Sequence, residues 1–516
     1  MITRGAAAVL DWMVPRRRQA WEDASRRAIA IQERTLLDLV GHARRTVVGR
    51  DHGFDDIRTV ADYQRRVPLR DYIETKRWLD RTFAGEPDVA WPGRARFWVK
   101  TSGTTAGDKV LPVTAEAFAS HRRGGWDALL LAAERAGARE LLGGPLLFLG
   151  GCTRLQAMGD GCHVGDLSGL VMRRLPPGLR GRYSPGPDIS AIPDWETRIE
   201  AVAALVAGQD LRLLSGMPSW MLILFERVAR LDGGERPLGQ RWPNLKVFIH
   251  GGVSFGPYRD VFDERLGRPL ERVEVYPASE GFVALQTERG GGLTLMLDYG
   301  IFYEFVPFED LGTAAPRRLT VADVELDRPY AVALTTPAGL WSYLLGDLVR
   351  FTARDPLRLE IIGRTRHFVN AFGENVIVEE VERALIEACR RTGAQVREFT
   401  VAPCYASATE TRGRHDWLIE FAEPPRGLDE RFTRMLDETL QQLNTDYRIK
   451  RAGDIGMLPP RVVTLPVGTF YAWMRSRGKL GNQNKVPRVT NDRAIADGLL
   501  RVAGLSPEAA PAPAPA

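Results

Sequence analysis

The sequence predicts an α/β protein in which a large N-terminal domain, with mixed β-sheets and flanking helices, precedes a smaller α+β C-terminal domain. Three observations indicate this. The chain has 516 residues, about three times the ~150 residues typical of one domain. From about residue 97, short apolar runs alternate with longer amphipathic segments, the pattern of helices layered on a mostly parallel sheet. After residue 363 a fresh series of elements begins, which suits a separate compact unit.

The elements follow in chain order. Apolar side chains recur at helical spacing over residues 29–40, which predicts a helix with one face on the core. The next apolar runs predict strands at residues 146–149, 211–214, 245–250 and 273–276, with a helix over Trp195–Ala207. A β-rich section is predicted from strands at residues 302–305, 330–334 and 359–362. The last series is predicted as a helix at residues 376–390 and strands at 399–402 and 417–421.

The domain boundary is expected near residues 364–367. The large domain then spans residues 1–364 and the small domain spans residues 365–506. Residues 507–516 read PEAAPAPAPA, a low-complexity composition that predicts an extended, disordered tail.

Composition excludes several classes of protein. Hydrophobic residues make up 44% and charged residues 26%, which is ordinary globular composition and excludes wholesale disorder. The net charge of +5 is small for this length and gives no electrostatic reason to expect a nucleic acid partner. No apolar stretch approaches the ~20 residues that cross a bilayer, so no membrane partner is expected. The four cysteines lack C-x2-C spacing and no signal-type apolar run is present, which predicts a cytoplasmic location. The oligomeric state is not indicated.

The strongest chemical signal is the segment TSGTTAGDK at residues 101–109, which follows a strand-like run. Its hydroxyls, glycines and terminal lysine can wrap a polyphosphate, although the spacing is not that of a Walker loop. Only seven of the 70 basic residues are lysine, so a lysine here suggests a required point charge. Taken alone, such a cluster can also be a solvent-exposed loop. The residues expected to contact phosphate are Thr101, Ser102, Gly103, Thr104, Thr105 and Lys109.

Three further motifs follow in order. They are YPASEGF at residues 276–282, YLLGDLVRF at 343–351 and GTFYAWMRSRGKLGNQNKVPR at 468–488. Together with the first segment they resemble the adenylate-forming superfamily of acyl-CoA synthetases, peptide-synthetase adenylation domains and firefly luciferase. Within it the chain resembles the Gretchen Hagen 3 family of acyl-acid amido synthetases, because NQNKVPR is similar to that family's NQ-x-K-x-PR ending. The resemblance runs from about Gln32 to Arg488.

The resemblance implies roles for the second motif. Tyr276, Ala278 and Ser279 would contact the adenine, and Glu280 would reach Mg²⁺ as a catalytic and metal-binding carboxylate. One carboxylate beside phosphate oxygens suits a hard Mg²⁺ ion. From the residues alone, Glu280 could instead cap a turn and Tyr276 could belong to the core.

The later motifs carry the remaining site residues. The resemblance implies that Asp347 binds ribose, that Arg364 approaches the nucleotide at a hinge, and that Lys485, on a mobile C-terminal domain, is a catalytic lysine near the α-phosphate. Residues 365–367 depart from the superfamily pattern, because many members carry an acidic pair there, so the identity of the hinge residue stays open. A Gly-Asp turn and a solvated lysine are the alternatives for Asp347 and Lys485.

The implied function is a ligase that uses ATP and Mg²⁺ to adenylate a small carboxylic acid. It then transfers the acyl group to an amine, expected to be an amino acid, and releases AMP and pyrophosphate. Two alternatives stay open: an acyl-CoA ligase with coenzyme A as acceptor, and an inactive ligand-binding homologue. Met217, Trp220 and Met221 are candidates for an acyl pocket, although core packing is favoured. The histidines and cysteines lack the spacing of a zinc site.

Overall fold

The computed structural model describes residues 2–101, 109–159, 161–175, 177–231, 233, 236–252, 255–365, 368–369, 372, 374, 376–404, 413–424, 431–451, 457–480, 485–490 and 493–505. The chain divides into two compact units. The first comprises Met1–Val253 and Arg265–Glu360, and the second comprises Ser254–Glu264 and Ile361–Ala516.

The first unit contains most of the regular structure. Its helices are α1 (Ile2–Arg26), α2 (Ala28–Ala43), α3 (Val47–Asp51), α4 (Val60–Arg66), α5 (Tyr72–Phe83), α6 (Ala115–Ala136), α7 (Ala138–Leu141), α8 (Leu167–Arg173), α9 (Pro177–Arg180), α10 (Pro187–Ser190), α11 (Trp195–Ala207), α12 (Pro218–Arg230) and α13 (Leu238–Arg241). Its strands are β1 (Phe97–Thr101), β2 (Lys109–Val113), β3 (Leu146–Leu149), β4 (Gln156–Gly159), β5 (Cys162–Gly165), β6 (Tyr183–Ser184), β7 (Leu213–Gly216), β8 (Val247–Gly251), β9 (Glu271–Ala278), β10 (Gly281–Leu285), β11 (Leu293–Leu295), β12 (Phe302–Pro307), β13 (Pro329–Thr336), β14 (Leu340–Arg354) and β15 (Leu357–Arg364), the last of which runs on into the second unit.

Two sheets organise these strands. The described residues form an 11-stranded sheet in the order β12-β13-β14-β15-β11-β10-β9-β8-β7-β3-β6. The strands from β6 through β3, β7 and β8 to β9 are parallel, whereas β9 to β11 and β12 to β14 pair antiparallel. A four-stranded sheet has the order β2-β1-β5-β4. The predicted mixed α/β class is therefore confirmed, and the parallel pairing that the alternating runs predict holds from β6 to β9, while β9 to β11 and β12 to β14 pair antiparallel.

Local sequence signals define several helix starts. Thr114 caps α6, because its side chain accepts a hydrogen bond from the Ala117 N–H at 3.0 Å. Asp71 and Glu74 form a capping box at the start of α5, in which each side chain accepts from the other residue's backbone N–H. These caps satisfy N–H groups that the first helical turn leaves without partners. They also fix where α5 and α6 begin beside the hairpin of β1 and β2.

The sequence predicts some elements to the residue and others only approximately. The helix over Trp195–Ala207 and the strand over Leu146–Leu149 are confirmed at their predicted bounds. Other predicted strands are longer or are shifted by one or two residues, which is the ordinary uncertainty of element ends. Helix α1 buries an apolar stripe that includes Ala7, Leu10 and Trp21 in the core, and ion pairs anchor it as well. In these pairs Arg17 contacts Asp127 at 2.7 Å and Asp298 at 2.8 Å.

The second unit is an α+β arrangement. Its helices are α14 (Arg259–Leu266), α15 (Val378–Thr392), α16 (Arg431–Leu443), α17 (Thr445–Arg451), α18 (Thr469–Ser476) and α19 (Ala494–Val502). Its strands are β16 (Phe368–Val369), β17 (Val376–Ile377), β18 (Gln395–Cys404), β19 (Arg414–Glu423) and β20 (Arg461–Leu465). Strands β18 and β19 pair antiparallel and β20 joins β19 in parallel. None of the helices formed by the described residues has both the length and the apolar character that a bilayer-crossing segment requires.

A buried ion pair stabilises the second unit. Arg451 contacts Asp437 at 2.7 Å, and the Tyr447 hydroxyl donates to the same carboxylate at 2.8 Å. The Arg451 and Asp437 side chains are only 6% and 11% exposed, so neither charge can be hydrated if the other is removed.

We predict that Arg451→Met lowers the free energy of unfolding by about 3–5 kcal/mol, because it leaves a buried carboxylate without its cation. Arg390→Met is the control, since Arg390 pairs with Glu387 at the surface and is 68% exposed. Urea denaturation of the full chain measures both. Equal losses in the two variants would contradict the prediction.

Candidate functional site

The predicted phosphate loop joins the two strands of a hairpin. Strand β1 ends at Thr101 and β2 begins at Lys109, and these two residues are paired across the hairpin. The predicted residues Ser102, Gly103, Thr104 and Thr105 lie outside the described residues, as does the side chain of Thr101.

Lys109 lies between two tyrosines. Its ammonium nitrogen is 5.5 Å from the ring centroid of Tyr72 and 6.0 Å from that of Tyr343, distances at which ring faces attract cations. The same nitrogen is 3.5 Å from the Tyr343 hydroxyl. The Tyr72 hydroxyl accepts a hydrogen bond from the Val110 N–H at 3.2 Å. The base of the hairpin is therefore attached to both aromatic side chains.

Glu280 lies in the tight turn between β9 and β10, where Ala278 pairs with Gly281 across the two intervening residues, Ser279 and Glu280. A Cβ atom on Gly281 would come within 2.6 Å of the end of the Ile301 side chain, so a larger residue there would displace that side chain. Ala278 and Ser279 are half-buried. Glu280 itself is 7% exposed, which is an unusual environment for a carboxylate.

The Tyr343 hydroxyl lies beside the Glu280 carboxylate and can donate a hydrogen bond to it. Burial raises the pKa of Tyr343 well above its ordinary value, and the neighbouring Glu280 charge raises this pKa further. The phenol therefore stays protonated and keeps its hydrogen as a donor. Glu280, Tyr343 and Lys109 thus form a chain of carboxylate, hydroxyl and ammonium groups at the base of the hairpin.

Tyr276 and Asp347 are brought together by the curl of the large sheet. The Tyr276 hydroxyl donates to the Asp347 carboxylate at 2.6 Å. Three strands separate β9 from β14 in the sheet order, so these residues would be roughly 19 Å apart if the sheet were flat. The Tyr276 ring is 6% exposed and packs in the core inside the curl. Asp347 is half-buried, so it can accept further hydrogen bonds.

Helix α6 packs behind the Glu280 turn. His121 is 4% exposed, and its ring lies beside the Ser279 backbone carbonyl. One turn later, a Cβ atom on Gly124 would come within 2.3 Å of the Phe282 ring, so the helix and the turn are in close contact. Burial lowers the pKa of His121 to about 4, and the hydrogen bond to Ser279 opposes this shift.

Arg364 and Lys485 belong to the second unit. Arg364 ends β15 and is half-buried. Lys485 is exposed and immediately precedes an anchored segment, in which the Arg488 carbonyl accepts from the Val401 N–H at 2.8 Å. The buried Arg488 guanidinium contacts Glu398 and the Tyr258 hydroxyl of the same unit. The end of the NQNKVPR motif is thereby fixed beside β18 while its lysine faces solvent.

Among the described residues the structure places Tyr276 against Asp347 and groups Lys109 with Glu280 around Tyr343. It also adds three residues that the sequence interpretation did not select: Tyr72, Tyr343 and His121. Tyr343 is the first residue of the YLLGDLVRF motif, which is the one signal that could have identified it. Of the proposed acyl-pocket residues, Trp220 and Met221 are buried, and the Trp220 ring packs 4.8 Å from that of Trp195. This burial supports the core interpretation.

We predict that the free energy of unfolding rises with pH from about 4 to 6.5 in part because of His121. In the folded protein the pKa of His121 is about 4, so across this window the unfolded chain binds a proton that the folded protein does not. His121→Phe should flatten this part of the pH dependence. Urea titrations at pH 4.5 and 7 measure it, and an unchanged slope in His121→Phe would contradict it.

Models of one protein family match successive parts of this chain, in the same order as its motifs. The GH3 family N-terminal domain matches residues 17–215, the GH3 family central domain matches 294–364 and the GH3 family C-terminal domain matches 379–494. The indole-3-acetic acid-amido synthetase GH3.4 of Arabidopsis thaliana is 27% identical over 276 residues, covering 48% of this chain and 44% of that protein. The indole-3-acetic acid-amido synthetase GH3.8 of Oryza sativa subsp. indica is 29% identical over 271 residues, with the same coverage. The chain thus aligns with less than half the length of these curated relatives.

Solved structures share the fold over nearly the whole chain. The GH3.15 acyl acid amido synthetase superposes with a TM-score of 0.77 at 17% identity, covering 96% of each chain. A 2-hydroxyisobutyryl-CoA ligase in the postadenylation state gives a TM-score of 0.57 at 16% identity, covering 93% of this chain and 92% of that chain. Because domain models for the N-terminal, central and C-terminal parts of one family match in order along most of the sequence, this chain belongs to the GH3 family.

Proposed function

We propose that the protein is an ATP-dependent acyl-acid amido synthetase. In the first step a substrate carboxylate attacks the α-phosphorus of ATP, forming an acyl adenylate and releasing pyrophosphate. In the second step the amine of an amino acid attacks the acyl carbonyl, the bond to AMP breaks, and the nitrogen loses a proton. The observation that carries the proposal is the chain of Glu280, Tyr343 and Lys109 beside the predicted phosphate loop. Membership of the GH3 family and the names of the curated relatives support it.

The nucleotide would be held by residues of the large unit. Asp347 has the acceptor oxygens that ribose hydroxyls need, and its hydrogen bond from Tyr276 fixes its position. Lys109 supplies a positive charge for the phosphates at the end of the loop, and the rings of Tyr72 and Tyr343 restrict its movement. Positioning and charge stabilisation of this kind supply most of the catalysis in phosphoryl and nucleotidyl transfer.

Mg²⁺ fits the residues present. Such an ion is usually held by one or two carboxylates together with phosphate oxygens, and Glu280 offers one buried carboxylate. Within the described ranges, no cluster of three or more His, Cys, Asp or Glu side chains could hold a metal ion by itself, which fits an ion carried in with ATP. When bound, Mg²⁺ would neutralise charge on the phosphates.

We further propose that the small domain, residues 365–506, moves relative to residues 1–364 between the two steps. Lys485 is exposed and immediately precedes a segment of the second unit that is anchored through Arg488, so it can be presented to the α-phosphate as a point charge. Arg364 lies at the proposed hinge and would contact the nucleotide. Amide formation would then use a different domain orientation, in which Lys485 is not required.

We predict that a screen of carboxylic acids finds one that supports ATP–pyrophosphate exchange. With that acid, an amino acid should increase AMP release and coenzyme A should not. The measurement is exchange of labelled pyrophosphate followed by mass analysis of the products. A thioester as the main product would overturn the proposed acceptor, and the absence of exchange with every acid would overturn adenylation itself.

Glu280→Gln should slow adenylation by roughly 10²-fold or more, because it removes the charge proposed to bind Mg²⁺ while keeping side-chain size. The amide can still accept the hydrogen bond from Tyr343, so unfolding should change little. Exchange rates over a range of Mg²⁺ concentrations measure the effect. Parent and variant rates that coincide at low Mg²⁺ would assign Glu280 a purely structural role in its turn.

Lys485→Ala should abolish pyrophosphate exchange but should still convert supplied acyl adenylate and amine into amide at a comparable rate. Lys450→Ala, which removes another lysine of the second unit, is the matched control and should affect neither step. Single-turnover amide formation from supplied adenylate separates the steps. If Lys485→Ala slows both steps equally, the residue serves one fixed conformation and the proposed movement is wrong.

A further inference from the structure

Ser342 has a left-handed backbone conformation inside a buried strand. Its φ is 45°, and among the described residues only Asp88 and Asp327 share a positive φ without being glycine. Aspartate tolerates this conformation better than other side chains because it can bond its own backbone. Ser342 has no such preference, and it is fully buried within β14. Residues held in sparsely populated conformations cluster at functional sites when the surroundings enforce them.

The conformation belongs to a β-bulge. Leu334 pairs with Tyr343 and Thr336 pairs with Leu340, so Trp341 and Ser342 together lie opposite Thr335. Such a bulge inserts one residue into the alternation of side chains and changes the direction of the next one. The next residue here is Tyr343, whose hydroxyl reaches Glu280.

A network of buried polar groups holds the bulge. The Ser342 N–H donates to the Thr335 hydroxyl at 3.0 Å, and the Ser342 hydroxyl donates to Glu304 at 2.7 Å. Arg318 donates to the Ser342 hydroxyl at 2.5 Å, and the Tyr63 hydroxyl lies 3.0 Å from the same oxygen. The Ser342 hydroxyl thus joins three side chains, and the Ser342 backbone N–H binds a fourth.

Glu304 and Arg318 make this network rigid. Their side chains are 0% and 9% exposed, and Arg318 donates to both carboxylate oxygens at 2.9 and 3.0 Å. Gln64 also donates to Glu304 at 3.0 Å. A buried pair with these additional hydrogen bonds has no alternative partners to exchange with, so the position of Ser342 is fixed from outside the strand.

The backbone on either side of Tyr343 is also held. The Arg70 N–H donates to the Ser342 carbonyl at 3.1 Å, and the Leu344 N–H donates to the Arg70 carbonyl at 2.8 Å. Both peptide groups that flank Tyr343 are therefore fixed. The bulge then determines the direction in which the Tyr343 side chain points.

We propose that Ser342 is a positioning residue for adenylation: its buried hydrogen bonds hold the bulge that directs Tyr343 onto the Glu280 carboxylate. This inference rests on the proposed function. It deepens that function because it explains how the Glu280 carboxylate, the proposed metal ligand, is oriented. The orientation depends on a network of buried side chains that starts with Glu304 and Arg318, which hold Ser342. Ser342 itself need not touch substrate.

The test compares Ser342→Ala with the parent and with Tyr343→Phe. Ser342→Ala removes one hydroxyl and leaves the Glu304–Arg318 pair intact. We expect the Mg²⁺ concentration for half-maximal exchange to rise roughly tenfold, the scale of loss when a positioned group is displaced. Mn²⁺ binding in the presence of a nonhydrolysable ATP analogue, followed by electron paramagnetic resonance, should weaken by a similar factor and does not depend on turnover.

A double-mutant cycle shows whether Ser342 acts through Tyr343. The Ser342→Ala change should have no further effect on either Mg²⁺ dependence or Mn²⁺ binding in a Tyr343→Phe background. Thr287→Val is the matched control, because it also removes a buried hydroxyl of the first unit, one that bonds Thr294 at 2.6 Å. It should leave both readings unchanged. If Ser342→Ala does not fold, Ser342→Gly replaces it, since glycine adopts a φ of 45° readily.

Two results would overturn the inference: Mg²⁺ dependence and Mn²⁺ binding equal to the parent in the Ser342 variant, or effects that add to those of Tyr343→Phe. Failure of the proposed function is distinguishable, because it would leave the parent protein without exchange on any acid. In that case the Mn²⁺ affinities of the Ser342 variant and the parent can still be compared, and they show whether Ser342 positions the cation ligand.

Discussion

The contact between the Tyr343 hydroxyl and the buried Glu280 carboxylate is the interaction on which the geometry of the large unit's site depends. A buried carboxylate is unfavourable unless donors satisfy it, so the fold must deliver a donor to the turn between β9 and β10. That donor comes from β14, which is not a neighbour of either strand in the sheet order. The curl of the sheet and the bulge before Tyr343 are therefore requirements of the site as well as features of the fold.

The same arrangement links the parts proposed to act on ATP. Lys109 lies beside Tyr343, so the phosphate hairpin and the Glu280 turn share one aromatic side chain. His121 ties α6, which follows that hairpin directly, to the carbonyl of Ser279. If the hairpin shifts when phosphate binds, the Glu280 carboxylate would also move, through the contact of Lys109 with Tyr343 or through that of His121 with Ser279. A carboxylate has two oxygens, so Glu280 can keep its bond to Tyr343 while the other oxygen serves a cation.

Sequence reasoning recovers the elements that depend on local pattern and misses the contacts that depend on strand order. Helix α11 and strand β3 follow from apolar spacing alone. Tyr276 and Asp347 are each recognisable from their motifs, but their hydrogen bond depends on a sheet that curls across three intervening strands. Ser342 carries no sequence signal of its left-handed conformation, because serine is not a residue that favours it; only the buried charges around it enforce the bulge. Tyr343 opens a recognisable motif, but its place beside Glu280 becomes evident only in the fold.

A crystal structure of the full chain with Mg²⁺ and a nonhydrolysable ATP analogue tests the central claim most directly. The account predicts that Asp347 accepts the ribose hydroxyls, that Glu280 ligates the cation, and that the Tyr343 hydroxyl still donates to Glu280. A nucleotide bound away from Asp347, or a cation held without Glu280, would contradict it.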